Sequence, residues 1–257
     1  MLGSIIGDLV GSVYEYGQVN NVSPIKIKKL IKKNAFISDD SILTIAIADA
    51  IIHKKDYGKT LREYVSKYKT MLPNIKPYFK TIFSPNFERW ANGNSEGNSM
   101  GNGAMMRISP VGYLFNNETD VIKHALLATK PSHNSSEAIE CARIIALIIF
   151  YARQGLTKEK IIDKLKLNIK KPKILTFNYT CGDTIDLCLY SLFTANNFEE
   201  SIKLALSFGG DTDTNACIVG GMAEALYGIP VELKEQALKR LPEEFKIIIN
   251  KAYSLVK

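Results

Sequence analysis

Two pairs of carboxylates stand where the sequence predicts that helices begin. The stretch FGGDTDTNA carries Asp211 and Asp213, and the stretch FISDDS carries Asp39 and Asp40. A single pair is typical of a helix cap, because a carboxylate at a helix start accepts from free N–H groups and suits the helix dipole. Both pairs, however, open strongly apolar helices that must lie in the core. Four carboxylates that meet there need a cation or bound protons to offset their repulsion.

The residues around the two pairs indicate which cation would bind. Neither pair has a His or Cys beside it, and oxygen ligands favour hard ions, so the sequence predicts Mg²⁺, Mn²⁺ or Ca²⁺ rather than Zn²⁺. An EF-hand counted from Asp211 is excluded, because Ala216 and Met222 stand where Gly and Glu are needed. A phosphatase of the haloacid-dehalogenase type is disfavoured, because its D-x-D follows an apolar strand near the N-terminus, whereas here a helix and two glycines precede the motif.

A third acidic candidate lies in the stretch GDLVGSVYEYG near the start of the chain. Gly7 and Gly11 are spaced for close packing of one helix against another. Glu15 is expected just beyond this helix, where the chain turns. Taken alone it is equally compatible with an ordinary surface carboxylate, and its spacing does not decide between the two.

Apolar residues recur at helical spacing through most of the sequence, which predicts an all-α protein. The predicted helices cover 40–52, 135–155, 197–210, 214–228 and a stretch from 230 with proline in its first turn. Strand-like alternation occurs only over 23–30. Without a linker or a repeat, one compact multi-helix domain over 1–257 is expected. The longest stretch without periodicity, 84–103, predicts a functional polar loop that leads into the helical AMMRISPVGYLF.

Composition limits the function classes. Net charge is +7, and lysines cluster over 26–33 and 158–173. We interpret these clusters as solvated helix faces rather than a nucleic-acid surface, because no aromatic residues are interleaved with them. The four cysteines form no C-x-x-C pair, which indicates buried thiols in a reducing compartment. No signal peptide is predicted, and the longest apolar run, 144–152, is too short to span a bilayer. A cytoplasmic protein is expected.

Five motifs together resemble those of the ADP-ribosylglycohydrolase family. They occur in the family's order as GDLVGSVYE, SDDS, GNGAMMR, KPSHNSSE and GGDTDTNA, and they span roughly residues 3–228. Each motif alone is weak, but five in order are specific. The resemblance implies an all-α fold with a site for two Mg²⁺ ions, which Mn²⁺ could replace. It also implies hydrolysis at the anomeric carbon of ADP-ribose, with the metals holding the ribose hydroxyls and a water.

The resemblance also assigns roles to residues. The implied metal ligands are Ser38, Asp39, Asp40, Asp211, Asp213 and Thr214. The segment implied to wrap the diphosphate and the nearer ribose is Gly97, Asn98, Ser99, Met100, Gly101 and Asn102. His133 matches a histidine near the ligand, and Glu15 matches a glutamate at the entrance of the site. A carboxylate not fully committed to metal would relay protons, and Asp40, Asp213 and Glu15 all stay open for this role.

The sequence departs from the family pattern in three places. Ser38 replaces the commoner Thr but still offers a hydroxyl group, so metal binding is expected to survive. Met100 stands where some relatives have an aromatic residue, so stacking there is expected to be lost. The chain is also shorter than many members, so loops that select a target protein are expected to be missing. We interpret Arg107, within GNGAMMR, as a structural charge that faces the core.

The resulting hypothesis is a magnesium-dependent hydrolase that releases ADP-ribose from an ADP-ribosylated protein or small molecule. The linkage that it cleaves is not decided by the sequence. Two alternatives stay open: a non-catalytic ADP-ribose-binding protein and a magnesium-dependent nucleotide phosphohydrolase. The intact set of acidic residues favours an enzyme. A monomer is expected, without a membrane partner or a nucleic-acid partner.

Overall fold

The computed structural model describes residues 1–71, 81–173 and 176–256. Within these ranges every extended regular element is a helix, and β pairing is limited to two isolated bridges. The predicted all-α class is therefore confirmed. The helices are α1 Leu2–Gln18, α2 Asp39–Ile52, α3 Tyr57–Tyr68, α4 Pro85–Ala91, α5 Gly103–Met106, α6 Ser109–Leu114, α7 Glu118–Thr129, α8 Ser136–Arg153, α9 Lys158–Leu165, α10 Cys181–Thr194, α11 Phe198–Leu206, α12 Thr212–Tyr227, α13 Val231–Leu238 and α14 Glu243–Leu255.

The two helices α1 and α12 pack antiparallel at backbone distance. A methyl group built on Gly7 would lie 1.9 Å from the carbonyl oxygen of Ala216, and one built on Gly11 would lie 2.3 Å from that of Thr212. Gly3 meets Gly220 in the same way one turn further along. The close packing predicted from Gly7 and Gly11 is confirmed, and it fixes the register of the two helices.

Two further helices, α2 and α8, are buried in the core. α2 is apolar on nearly every face because it packs against α1, α3, α6, α12 and α14. Its first turn is capped by Ser38, whose hydroxyl accepts from the backbone N–H of Asp40. α8 is capped by Ser135 in the same way and ends before Gly155, which adopts a positive φ. Both helices confirm the predictions made from apolar spacing.

Several predicted boundaries are wrong. Glu15 lies inside α1, not beyond it, since this helix continues to Gln18. The polar stretch 84–103 contains α4, which begins after the cap Ser84 with proline in its first turn. The helical stretch that follows is divided into α5 and α6. Pro230 precedes α13 as its N-cap instead of occupying the first turn.

The lysine-rich stretch 26–33 is not a helix face, and 23–30 is not a strand. This part of the chain is irregular between α1 and α2. Its alternation has a different cause: Ile27 packs against the core while its lysine neighbours stay exposed, and no neighbouring strand pairs with it among the described residues. In the second cluster, α9 covers only 158–165. No described helix combines the length and the apolar character that crossing a bilayer requires.

The glycine contact yields a stability prediction. Gly7→Ala should lower the free energy of unfolding by about 3 kcal/mol or more, because the new methyl group would overlap the backbone of Ala216. Gly17→Ala on the same helix is the matched control, since a methyl group there meets nothing within 4 Å. The control should be neutral or more stable by about 0.5–1 kcal/mol, because alanine favours helix. Urea unfolding of both variants measures the difference, and equal stabilities would contradict the described contact.

Candidate active site

The first turns of α2 and α12 and the last turn of α1 meet at one cleft of about 1190 Å³, which we call the acidic cleft. α1 contributes Glu15, and α2 brings the first predicted acidic pair. The turn into α12 brings the second pair. The carboxylates that line the acidic cleft are Glu15, Asp39, Asp40, Glu96, Asp211 and Asp213. The structure therefore brings the two acidic pairs and the glutamate of the third motif to one place.

Helix capping does not account for the acidic pairs. The cap of α2 is the hydroxyl of Ser38, which accepts from the N–H of Asp40 at 3.1 Å. Asp211 holds the N-cap position of α12, yet its side chain makes no capping hydrogen bond. Its Oδ2 instead accepts from the side-chain amide of Asn102 at 2.7 Å. The carboxylates therefore face the cleft, and helix capping alone does not explain their positions.

The carboxylates form two groups that share Asp213. Oxygens of Asp8, Asp40 and Asp213 lie within 4.8 Å of one another, and so do oxygens of Glu15, Asp211 and Asp213. The Oδ1 atoms of Asp8 and Asp40 are buried without a hydrogen-bond partner among the described residues. Buried carboxylate oxygens without donors, in a set that contains only oxygen atoms, fit Mg²⁺ or Mn²⁺ and fit Zn²⁺ poorly.

Burial and mutual repulsion raise the pKa of these groups. Burial, followed by the charge of Asp213, raises the pKa of Asp8 to about 7. Burial raises the pKa of Asp211 to about 6, although the hydrogen bond from Asn102 acts in the opposite direction. The pKa of Asp213 is raised by burial and then by the charge of Asp211. Burial and the charge of Asp213 likewise raise the pKa of three further carboxylates: Glu15, Asp39 and Asp40.

The predicted ligand hydroxyls lie beside this cluster. Ser38 donates to Oδ2 of Asp40 at 3.0 Å, and Thr214 reaches the same oxygen at 3.4 Å. Asp39 lines the cleft but belongs to neither of the two close groups. Ser38 and Thr214 thus meet at Asp40, where a cation would find oxygen atoms from both α2 and α12.

Asp8 is a site residue that the sequence analysis missed. Its Oδ2 accepts from the backbone N–H groups of Ser38 at 2.9 Å and Ser41 at 3.1 Å, and also from the Ser41 hydroxyl. Asp8 therefore holds the turn that carries the first acidic pair. The signal was an aspartate inside an apolar helical run, which is expensive to bury unless it has partners.

Asn178 and Asn215 were missed as well, and they position Asp211. The backbone N–H of Asp211 donates to Oδ1 of Asn178 at 2.9 Å, and the Asn178 amide donates to Oδ1 of Asn215 at 2.7 Å. Asn102 joins this network through the carbonyl of Asn178. All three asparagines are buried. Asn178 lies in an aperiodic stretch, so its sequence context gave no signal.

The predicted diphosphate segment lines the same cleft as the two acidic pairs, and its last residue, Asn102, donates to Asp211. Asn98, Ser99, Met100, Gly101 and Asn102 all line the acidic cleft. Isolated bridges join Asn98 to His133 and Gly101 to Thr180. Gly97 lies behind the segment, where a methyl group would come within 2.0 Å of the carbonyl oxygen of Pro131. The loop is thus fixed at both ends.

His133 is buried and lines the cleft as a neutral ring. Burial and the nearby charge of Arg107 lower its pKa well below the ordinary value. Its Nδ1 is 2.7 Å from the Ser132 hydroxyl, which also accepts from Arg107 at 2.7 Å. Nε2 is the ring atom nearest to a methyl group built on Gly103. Arg107 is buried, as its interpretation as a core-facing charge predicts, and it also contacts the cleft.

Aromatic side chains form a further wall of the acidic cleft, which the sequence analysis missed. They come from the segment around α4 and from the stretch before α10: Phe83, Phe87, Trp90, Phe177 and Tyr179. Tyr179 is 66% exposed and Met100 is 51% exposed, so both present apolar surface at the cleft. Phe177 and Tyr179, the less buried of these rings, suit a flat ligand group, because aromatic faces stack favourably on planar rings.

Another cavity, of about 860 Å³, lies on the far side of Gly97. Among the described residues that line it, Asp56 is the only carboxylate, and its side chain caps α3. This cavity therefore offers no cluster of acidic groups among the residues that the structure describes.

Comparisons with known proteins agree with this geometry. A sequence model described as ADP-ribosylglycohydrolase matches residues 1–255. The chain belongs to the ADP-ribosylglycohydrolase family. The resemblance inferred from the five motifs is thereby confirmed, and membership points to an enzyme that hydrolyses ADP-ribose linkages.

Relatives within the ADP-ribosylglycohydrolase family are distant. ADP-ribosylarginine hydrolase Tri1 of Pseudomonas putida (strain GB-1) is 23% identical over 264 residues, which cover 89% of this chain and 70% of that protein. ADP-ribosylhydrolase ARH3 of Mus musculus is 20% identical over 307 residues, which cover 89% and 83%. A solved structure titled ADP-ribosylglycohydrolase-related protein complex superposes with a TM-score of 0.73 at 20% identity, covering 99% of this chain and 95% of that one. This last likeness shows the fold.

The crowded carboxylates predict how the metal-free protein responds to pH. Each raised pKa means that the folded state holds a proton which the unfolded state releases at its ordinary pKa near 4. The free energy of unfolding should therefore fall as pH rises from about 4 to about 7. Asp213→Asn removes the shared charge, so in chelator near pH 7 it should be more stable than the wild type by roughly 2 kcal/mol.

Thermal unfolding in chelator at several pH values checks this expectation. Asp186→Asn is the matched control, because Asp186 is exposed on α10 away from the cleft. Wild type and control should show the same decline in Tm with rising pH, and Asp213→Asn should show a smaller one. Parallel profiles for all three proteins would mean that the carboxylates do not repel one another.

Proposed function

We propose that this member of the ADP-ribosylglycohydrolase family is a magnesium-dependent hydrolase that cleaves the bond at the anomeric carbon of an ADP-ribosyl group. It releases ADP-ribose from a modified side chain or small molecule. The observation that carries the proposal is that the two carboxylate groups that share Asp213 and the segment 98–102 meet at one cleft. Its four free, buried cysteines support a reducing cytoplasmic location. The protein is expected to act as a monomer.

Two Mg²⁺ ions fit the acidic cleft because it offers buried carboxylate oxygens that lack donors. The residues that would hold them are Ser38, Asp39, Asp40, Asp211, Asp213 and Thr214. When bound, divalent ions supply Lewis-acid chemistry there, stabilising negative charge that develops on oxygen. Mn²⁺ is a suitable substitute because it also prefers oxygen ligands.

The protein's own groups would orient the substrate. In the diphosphate segment, the N–H groups of Ser99 and Asn102 already donate to the carbonyls of Ser132 and Tyr179. The N–H of Gly101 donates to the Ser99 hydroxyl at 3.0 Å. Ser99 is thereby held in place at the cleft surface. Gly101 in this segment and Gly103 just after it carry no side chain, so the backbone there can approach a diphosphate closely.

Glu15, Asp40 and Asp213 are the candidates for proton transfer. Hydrolysis adds water across the bond: the anomeric carbon gains the hydroxyl group, and the leaving atom gains the proton. A carboxylate that is not fully committed to a metal could take the proton from the water and pass it to the leaving group. Glu15 is half-buried on the last turn of α1, so it is the most accessible of the three to a leaving group that enters from solvent.

A panel of linkage-defined ADP-ribosyl substrates tests the proposal. With Mg²⁺, at least one substrate should yield intact ADP-ribose, measured by chromatography. Excess chelator should abolish this activity, and Mg²⁺ or Mn²⁺ should restore it. Asp211→Asn should fold normally and lose about 100-fold or more of the turnover. This loss exceeds the one that is typical when a residue that hydrogen-bonds to a metal ligand is replaced. Asp183→Asn is the control, since Asp183 is exposed.

Other products would favour the alternatives. Release of phosphate or a nucleoside monophosphate would indicate a nucleotide phosphohydrolase. Binding of ADP-ribose without turnover of any substrate would indicate a non-catalytic binding protein. Full turnover by metal-free protein in chelator would contradict the two-metal site.

The diphosphate segment predicts a separation of ligand binding from metal binding. Ser99→Trp should weaken ADP-ribose affinity by about 10-fold or more, because the indole would fill the space beside Gly101. Mn²⁺ affinity should stay within about twofold, since the carboxylates are untouched. Titration calorimetry measures both affinities, with Ser254→Trp on the exposed face of α14 as control. Unchanged ADP-ribose affinity in Ser99→Trp would remove 97–102 from the binding site.

A further inference from the structure

A lysine-rich segment, residues 26–33, forms an unpaired cationic surface. Its lysines are all exposed, and none lies within ion-pair distance of a carboxylate among the described residues: Lys26, Lys28, Lys29, Lys32 and Lys33. We call this stretch the lysine segment. Five like charges within eight residues repel one another, so their exposure without counter-charges leaves a strongly positive surface.

The lysine segment is held in one place although it is neither helix nor strand. Leu30 and Ile31 are buried beneath it. The guanidinium group of Arg240 donates to the backbone carbonyls of Lys32 at 2.9 Å and of Lys33 at 3.2 Å. A third hydrogen bond from Arg240 reaches Ala35. These contacts fix the backbone and leave the lysine side chains pointing away from the core.

The segment borders the acidic cleft at the end where Glu15 lies. Two residues after its end comes Phe36, which lines the cleft and whose N–H donates to the Ser12 hydroxyl of α1 at 3.3 Å. The ammonium group of Lys32 lies 4.1 Å from the centre of the Tyr14 ring, on the residue next to Glu15. At Lys32 the positive surface therefore comes near the Glu15 end of the cleft, where a leaving group would extend into solvent.

We propose that the lysine segment docks a carboxylate-rich surface of an ADP-ribosylated protein substrate. The proposal rests on the proposed function, because it takes the leaving group to be a protein side chain. Complementary charge at the rim of an interface speeds encounter and selects among partners. The modified side chain would then enter the cleft past Glu15 while acidic neighbours on the substrate lie along the lysine segment.

The composition of the lysine segment favours an acidic protein over a nucleic acid. It contains no arginine, the residue whose planar fork suits phosphate groups. It contains no aromatic residue on which a base could stack. The ring of Tyr14 is covered by Lys32. The segment instead offers a row of ammonium groups on flexible side chains, which suits glutamate and aspartate side chains.

The second lysine cluster of the chain differs and supplies a matched control. Lys158 donates to the carbonyl oxygens of Phe193 and Ala195, and Lys164 lies 3.8 Å from Glu118. Neither cluster lines the acidic cleft itself, but among the described residues no lysine of 158–173 makes a contact beside Glu15 such as the one between Lys32 and Tyr14. Its exposed lysines thus carry the same charge without adjoining the site.

The experiment compares two quadruple variants: K26Q/K28Q/K29Q/K33Q in the lysine segment and K160Q/K170Q/K171Q/K173Q as control. Both remove four positive charges. Each is assayed on one linkage carried by a glutamate-rich peptide and by a small molecule. The first variant should lose about 10-fold in kcat/KM on the peptide and keep its activity on the small molecule. The control should match the wild type on both, and the difference should shrink in high salt.

Direct binding separates this proposal from the proposed function. Fluorescence anisotropy of a labelled, unmodified glutamate-rich peptide should show at least about 5-fold weaker binding to the first variant than to the wild type and the control. This result is informative even if no ADP-ribosyl substrate is cleaved. The proposal would be overturned if both variants lost kcat/KM equally, or if the first variant lost it equally on both carriers. Tighter binding of a DNA duplex than of the peptide would also overturn it.

Discussion

The contact between α1 and α12 is the constraint on which the rest of the structure depends. Because Gly3, Gly7 and Gly11 let the two helices meet at backbone distance, the acidic face of α1 lies beside the start of α12. Asp8 and Glu15 are seven residues apart, so they share that face of the helix. A looser contact would separate these carboxylates from Asp213, and the two groups that share it would not form.

The same contact creates an electrostatic cost that the fold alone does not remove. Helix N-termini favour negative charge nearby, but the effect is usually below about 1 kcal/mol for each group. Burial and repulsion raise the pKa of both Asp211 and Asp213, so the metal-free cluster is least stable when fully ionised. A divalent cation offsets this cost by mass action, because it binds the folded state alone. The crowding of the carboxylates therefore favours metal binding, because the cation relieves their repulsion.

Local sequence patterns predicted much of this structure, whereas contacts between residues far apart in the sequence were not predicted. Apolar spacing predicted α2, α8 and α12, and the five motifs predicted Glu15, both acidic pairs and the loop 98–102 of the cleft. Asp8 was missed because its partner Ser41 lies 33 residues away, and Asn178 because its network joins three separate stretches. The lysine segment was wrongly predicted as a helix face, since its carbonyls are satisfied by Arg240, more than 200 residues later. No local pattern contains such a partner.

Anomalous scattering of Mn²⁺ in crystals of the protein would locate the metals without any activity measurement. Two peaks are expected in the acidic cleft, one on the side of Asp40 and one on the side of Asp211, with Asp213 contacting both. That result would tie the shared carboxylate to the metals by position, independently of any activity. Absence of a peak in the cleft at saturating Mn²⁺, or peaks that leave Asp213 without a metal contact, would contradict the account.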